Sequence, residues 1–211
     1  MIKNNIVPVD PDTPDQQTIL QAAKIIGQNG VVIFPAKCLY GVAAKALDEN
    51  AVQKVFDLKQ RPKNNPILVL IPDRKQLKDL VVSIPETAQK LMDAFWPGNL
   101  TLIFEAGKHI PQILTAGTGK IGIRVPVHPV AKALVDSLGY PVTGTSANLS
   151  GQESCSRILS LDPFITAHAD LILDAGTLKG GKGSSIVDIT QFPPVVLREG
   201  EVSSVQIKSC I

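Results

Sequence analysis

Short aliphatic runs alternate along this chain with stretches whose apolar residues return every three or four positions. Ile67–Ile71 is an unbroken apolar run, which suits a strand buried on both faces. Val31–Phe34, Thr101–Phe104, Ile121–Val125, Pro141–Thr145, Leu171–Leu173, Ile186–Ile189 and Val195–Leu197 read as further strands. Between them Ile19, Ala22, Ala23 and Ile26 repeat at helical spacing, after Thr13-Pro14-Asp15 as a start signal and before Gly30 as a C-cap. Asp48–Lys59, Ala88–Phe95 and Val130–Leu138 read as helices in the same way. This alternation confines the chain to an α/β fold, a mixed sheet flanked by helices.

The 211 residues suit one domain over residues 1–211, with glycine-rich Thr177–Ser185 and the two termini as its least ordered parts. Charged residues make up 19% against 44% apolar, which excludes a disordered chain and allows a sizeable core. Aromatics are only 4%, so that core must be aliphatic. No apolar run nears the ~20 residues of a bilayer span, and Met1-Ile-Lys-Asn-Asn does not read as a signal peptide. Cys38, Cys155 and Cys210 have neither the number nor the spacing of a disulfide framework or zinc site, and His109, His128 and His168 are scattered. A reduced, cytoplasmic protein with no metal centre is the expectation. The net charge of +2 makes no case for nucleic acid by bulk charge.

The polar residues gather at predicted strand and helix ends, where open α/β sheets bind ligands. The clusters are Pro35–Gly41, Lys59–Lys63, Arg124-Val-Pro, Thr143–Gly151, Gly183–Ser185 and Arg198-Glu-Gly200. Lys59, Arg61, Arg124, Lys182 and Arg198 face few acids in them, a composition suited to a polyanion such as a nucleoside triphosphate. Taken singly, each cluster also has an ordinary structural reading. Lys59 and Arg61 could complement a helix dipole, and Ser146 and Asn148 could bond their own turn. Arg198 could be an exposed strand-end charge, Cys38 a small buried thiol, and Trp96-Pro-Gly98 a packed turn. There is no G-x-x-x-x-G-K-[ST] and no G-x-G-x-x-G.

The order of the motifs is more specific. Pro35-x-x-x-x-Tyr40-Gly41, Lys59-x-Arg61-Pro62, Trp96-Pro97-Gly98-x-Leu100-Thr101, Arg124-x-Pro126-x-His128-Pro129, Thr145-Ser-Ala-Asn-x-Ser-Gly151, Ser184-Ser185-x-Val-Asp188 and Arg198-Glu-Gly200 follow one another over residues 10–205. In this the chain resembles the YrdC family, in its short single-domain form. The resemblance implies a twisted mixed β-sheet with flanking helices around a basic cavity. It implies an ATP-dependent nucleotidyltransferase of tRNA modification, joining L-threonine, bicarbonate or CO2 and ATP into threonylcarbamoyl-AMP and pyrophosphate. Catalytic roles would fall on Lys59 and Arg61. ATP would meet Lys59, Arg61, Ser146, Asn148 and Arg198, and threonine would meet Ala36, Tyr40, Arg124 and Ser184. Mg2+ would accompany the triphosphate. Threonylcarbamoyl-transfer proteins would be partners, and tRNA or double-stranded RNA would suit Lys54, Lys59, Arg61, Lys63, Arg74, Lys75 and Lys78.

One cluster departs from the family pattern. Pro-Thr-Glu/Asp-Thr is usual at the first motif, whereas this chain reads Pro35-Ala36-Lys37-Cys38. A hydroxyl is lost at Ala36, a charge is inverted at Lys37, and Cys38 offers a weaker hydrogen-bonding group. Two other readings therefore stand beside the synthase. One is adenylation of a different carbamoyl or N-carboxylated substrate, and the other is a nucleotide- or RNA-binding protein with altered catalysis.

Overall fold

The computed structural model describes residues 5–211; the expectation for the amino-terminal end falls largely on residues 1–4, outside them. The strands form two sheets rather than one. The first holds β1 (Ile6–Pro8), β9 (Leu171–Asp174), β2 (Val32–Pro35), β3 (Tyr40–Ala43) and β8 (Thr145–Ser146), in that order. The second holds β11 (Val195–Arg198), β10 (Ser185–Asp188), β5 (Leu100–Glu105), β6 (Lys120–Arg124), β4 (Val69–Leu70) and β7 (Val142–Thr143). Both mix parallel and antiparallel pairs.

The single strand expected at Pro141–Thr145 is the place where the sheets part. β7 pairs with β4, Gly144 intervenes, and β8 pairs with β3. A Cβ at Gly144 would lie 2.6 Å from the Leu70 side chain, so only glycine lets the chain cross there without displacing it. Ile67–Ile71 contributes only Val69–Leu70 to regular pairing, although Ile67, Val69, Leu70 and Ile71 are all buried. Burial on both sides leaves the same apolar run whether or not the ladder is long.

Of the helices, α1 (Gln16–Gly27) starts two residues later than the sequence suggests. Asp15 is the N-cap, accepting from Thr18 N, and Pro14 precedes it. Asn29, at φ 61°, takes the left-handed position expected of Gly30. A Cβ at Gly30 would instead meet Ile25 O at 2.8 Å, so that glycine serves close packing. The helix α2 (Glu49–Lys59) is capped by Asp48 and closed by Gln60 in the left-handed region. The helices α3 (Glu86–Phe95) and α5 (Pro129–Leu138) end where expected and start two and one residues earlier, while the short α4 (Gln112–Thr115), α6 (Pro163–His168) and α7 (Ser204–Lys208) carry too few apolar repeats to be read in advance. The helices α1 and α5 pack on one face of the first sheet through Ile19, Ala22, Ile26, Val130, Leu134 and Val135. The larger aliphatic core joins both sheets and includes Val52, Val55 and Phe56 of α2. Among the described residues no helix is long and apolar enough to cross a membrane.

Candidate functional site

A cavity of about 520 Å3 opens between the two sheets, a size ordinary for a small-molecule site. Its walls come from β2, β3 and β8 on one side and β5, β6, β10 and β11 on the other. Lys37, Arg61, Arg124, Lys182 and Arg198 line it, and no Asp or Glu does. Lys37 pairs with Glu201, which lies outside the lining, while Arg61, Arg124, Lys182 and Arg198 have no ion-pair partner among the described residues, which is the arrangement of an anion site.

The sequence candidates divide here into two layers. Ala36, Tyr40, Arg61, Arg124, Ser146, Ser184 and Arg198 reach the cavity wall. Lys59 and Asn148 stand behind it. Lys59 is buried at 1% exposure, and its Nζ donates to the Ser146 carbonyl, to Asn148 O at 2.7 Å and to Asn148 Oδ1 at 3.5 Å. Its own carbonyl accepts from Ser150 N at 2.9 Å. The ammonium thus clamps the 146–150 turn to the end of α2. Burial, with the charge of Arg61 beside it, pulls its pKa down from 10.5 to about 7. Ser146 Oγ donates to Asn148 Oδ1, and Asn148 Nδ2 donates to Leu149 O and Gln152 O, both at 2.8 Å. The turn chemistry open to Ser146 and Asn148 is therefore present, in a turn that one buried lysine holds against the cavity.

Arg61 leaves the helix end through Gln60 and is fixed by donating to Asn65 O at 3.0 Å and Pro66 O at 2.8 Å. Arg198 donates from Nε and Nη2 to Ser184 O, at 3.0 and 2.8 Å, and from Nη2 to Ser184 Oγ at 3.3 Å. Burial lowers the pKa of both guanidinium groups without neutralising them. The Ser184 hydroxyl also meets Thr101 Oγ1 at 2.9 Å. Tyr40 lines the wall with its ring, but its hydroxyl points to the end of β9, donating to Gly176 O at 2.8 Å and accepting from Ala175 N at 3.0 Å.

Arg124 is the buried cation with donors to spare. Among the described residues it makes one side-chain hydrogen bond, Nη1 to Asn99 Oδ1 at 3.1 Å, out of the five N–H groups a guanidinium carries. Burial, and then Arg198, lower its pKa to about 10, so it stays charged. A buried guanidinium with unfilled donors at a cavity wall calls for a carboxylate or phosphate.

Sequence reasoning missed Asn99 and Glu201. Asn99 follows the Trp96-Pro-Gly turn, whose Trp96 Nε1 donates to Leu100 O at 2.7 Å and whose Gly98 N donates to Val125 O at 3.0 Å. Glu201 lies one residue beyond the Arg198-Glu-Gly200 motif and accepts from Lys37 Nζ at 2.7 Å, from the Cys38 thiol and from Asn99 Nδ2. Burial works against its charge, but the bonds from Cys38, Lys37 and Asn99 outweigh it and hold the pKa to about 2. Burial, then Glu201, push the Cys38 thiol up to about 11, so it remains protonated. Lys37 adopts φ 145°, a conformation costing a non-glycine residue on the order of 1–3 kcal/mol. Such strain gathers where a ligand site over-determines the backbone.

The loop Thr177–Ser185 lacks regular structure until β10 begins, yet Leu178 N donates to Ser156 O and Gly180 N to Cys38 O. Of the basic residues grouped for RNA, Lys59 is buried and Arg74 pairs with Asp93, so the exposed cluster is smaller than its sequence suggests. Among the described residues no three His, Cys, Asp or Glu side chains gather as a metal cluster.

Residues 24–200 match the family named Sua5/YciO/YrdC, whose description reads telomere recombination. The chain belongs to this family. A threonylcarbamoyl-AMP synthase of Pyrococcus abyssi is 36% identical over 190 residues, 90% of this chain and 56% of that protein. One from Bacillus subtilis is 38% identical over 200 residues, 94% of this chain and 58% of its own length. The chain thus spans just over half of these two relatives. The crystal structure of P. abyssi Sua5 complexed with L-threonine superposes with a TM-score of 0.91 at 34% identity, over 98% of this chain and 60% of that one. The crystal structure of Escherichia coli YciO superposes with a TM-score of 0.86 at 32% identity, over 96% of this chain and 98% of that one. The α/β fold of mixed sheets with flanking helices is therefore the family's, with two sheets in place of the single one expected.

Proposed function

We propose that this chain is an L-threonylcarbamoyl-AMP synthase, acting in tRNA modification. The observation that carries the reading is the cavity between the sheets, which gathers Arg61, Arg124, Lys182 and Arg198 without a carboxylate; kinship to synthases of that name supports it.

In this reading the amine nitrogen of threonine bonds to CO2 drawn from bicarbonate and loses a proton. The resulting N-carboxylate oxygen bonds to the α-phosphorus of ATP, the bond from that phosphorus to the β-phosphate oxygen breaks, and pyrophosphate leaves with the electron pair. Such a step needs alignment and charge neutralisation rather than a protein nucleophile. Arg61, Lys182 and Arg198 meet the phosphates and the charge growing on pyrophosphate. Arg124 takes the amino-acid carboxylate, with Ala36, Ser184 and the Tyr40 ring as the wall beside it. Lys59 and Asn148 contribute by shaping the turn that presents Ser146. The wall offers Mg2+ no carboxylate, so the phosphate oxygens of ATP would hold it, and it would neutralise their charge. Residues 1–211 act as one domain in the cytoplasm, passing the adenylate to transfer proteins that modify tRNA.

The test is pyrophosphate release from ATP and bicarbonate, with and without L-threonine. Release that depends on threonine is expected, and release no greater than the threonine-free control overturns the reading. A second reading has its own observation: Ala36 has no hydroxyl, and the Cys38 thiol is spent on Glu201, so the 36–38 part of the wall offers little to a β-hydroxyl. Another N-carboxylated amino acid would then be the better substrate. Alanine or valine exceeding threonine in kcat/KM would establish that version.

A further inference from the structure

We infer that Glu201 is a positioning residue for the amine substrate: it fixes the side-chain amide of Asn99, and Asn99 in turn aims the guanidinium of Arg124 into the cavity. This rests on the proposed reading, in which Arg124 receives the carboxylate of that substrate.

The backbone around Glu201 has little freedom. Glu201 N donates to Gly183 O at 3.1 Å, and Gly200 N donates to Ser185 Oγ at 2.8 Å. A Cβ at Gly200 would lie 2.1 Å from Gly183 O and 2.6 Å from Ser185 N, so the segment lies flat on the start of β10. Arg198 reinforces the contact by gripping Ser184 O. From this ledge the Glu201 carboxylate reaches two loops, accepting from Lys37 and Cys38 before β3 and from Asn99 just before β5.

The chemistry of an amide makes the contact directional. Asn99 is buried, and its two ends differ: Nδ2 donates and Oδ1 accepts. With Nδ2 committed to the Glu201 carboxylate, the end left for Arg124 is the acceptor. A reversed amide would set a donor against the guanidinium donors and Oδ1 against a carboxylate. Two charged groups of opposite sign thus hold one amide from both ends, and the guanidinium inherits that order. Removing the carboxylate leaves Nδ2 unpaired and lets Asn99 and Lys37 relax together. It also removes one negative charge near Arg124, so phosphate binding should not suffer.

The experiment compares wild type with Glu201→Ala and Glu201→Gln by pyrophosphate release, and by 15N NMR of the Arg124 Nε–H and Asn99 Nδ2 signals. In Glu201→Ala, KM for threonine should rise about tenfold, the equivalent of one lost charge-assisted hydrogen bond, while KM for ATP stays within about twofold. Glu201→Gln keeps an acceptor oxygen for Asn99 and should lie between the two. The Arg124 and Asn99 signals should shift or broaden in Glu201→Ala. Unchanged signals overturn the inference, as does a rise of both KM values together with a lowered Tm, which would make Glu201 a support of the fold alone. Wild type that ignores threonine fails the proposed function instead, and the NMR comparison then decides the role of Glu201 by itself.

Discussion

Lys59 and Arg124 are both buried cations beside the same cavity, and they spend their donors in opposite ways. Lys59 gives its N–H groups to the carbonyl oxygens of Ser146 and Asn148 and to the Asn148 side chain. Arg124 gives one to Asn99 and keeps the rest. The first has become part of the scaffold, and the second keeps donors that no described residue fills. Buried positive charge therefore does not identify a ligand-binding residue by itself; the count of unfilled donors does.

The sharpest way to break this contrast is to neutralise Arg124. Arg124→Met should lower kcat/KM for threonine by about 100–1,000-fold, the scale of losing an electrostatic contact made in a desolvated site. A loss below tenfold would show that Arg124 is as structural as Lys59. Next in size, Lys59→Met leaves the Ser146 and Asn148 carbonyls without their donor. It should weaken ATP binding by about 10–100-fold through the disordered turn and lower Tm, as unpaired buried acceptors cost about 1–3 kcal/mol each. Calorimetric titration with ATP and a thermal melt measure both, and unchanged ATP affinity would sever the turn from the nucleotide.

A pH titration sharpens the same point with a smaller effect. The pKa of Lys59 is held near 7, below the 10.5 of an exposed lysine. As pH rises through about 7 the ammonium becomes an amine, one donor is lost, and repulsion of Arg61 ends. ATP affinity should therefore fall as pH rises above 7, by at most about tenfold per pH unit for one proton. Over the same window, from 7 to 10.5, the unfolded chain binds the proton that the folded chain has lost, so the contribution of Lys59 to folding stability should increase with pH. Isothermal titration in buffers of different ionisation heat would show the proton uptake, and its absence would place Lys59 as fully charged. The smallest effect on catalysis belongs to Tyr40→Phe, because the hydroxyl serves the 174–176 turn. Its signature should be a loss of about 1–3 kcal/mol of stability from unpaired buried groups, read by denaturant unfolding.

Much of this was legible in residue order. The helices Glu49–Lys59 and Pro129–Leu138 declare themselves by spacing and caps, and strands such as Leu100–Glu105 by apolar runs. The basic clusters converge on one cavity, as their placement at element ends predicts. Three features were hidden for physical reasons. β3 is absent from the strands named in sequence because Tyr40–Ala43 is only four residues with a glycine inside, and its pairing with β2 and β8 makes it a strand. Lys59 looked like a ligand because charge is visible in sequence and burial is not. Glu201 was passed over because its three partners, Lys37, Cys38 and Asn99, are more than a hundred residues away along the chain.

By itself, then, the sequence determined the α/β class, the aliphatic core and the set of cations, because periodicity and charge are local properties of the chain. The tertiary structure alone decided that Gly144 divides two sheets, that Lys59 clamps a turn, and that Glu201 reaches Arg124 through Asn99. Those outcomes depend on which donors find acceptors across long loops, and a hydrogen bond forms only where the fold brings its two ends within about 3 Å.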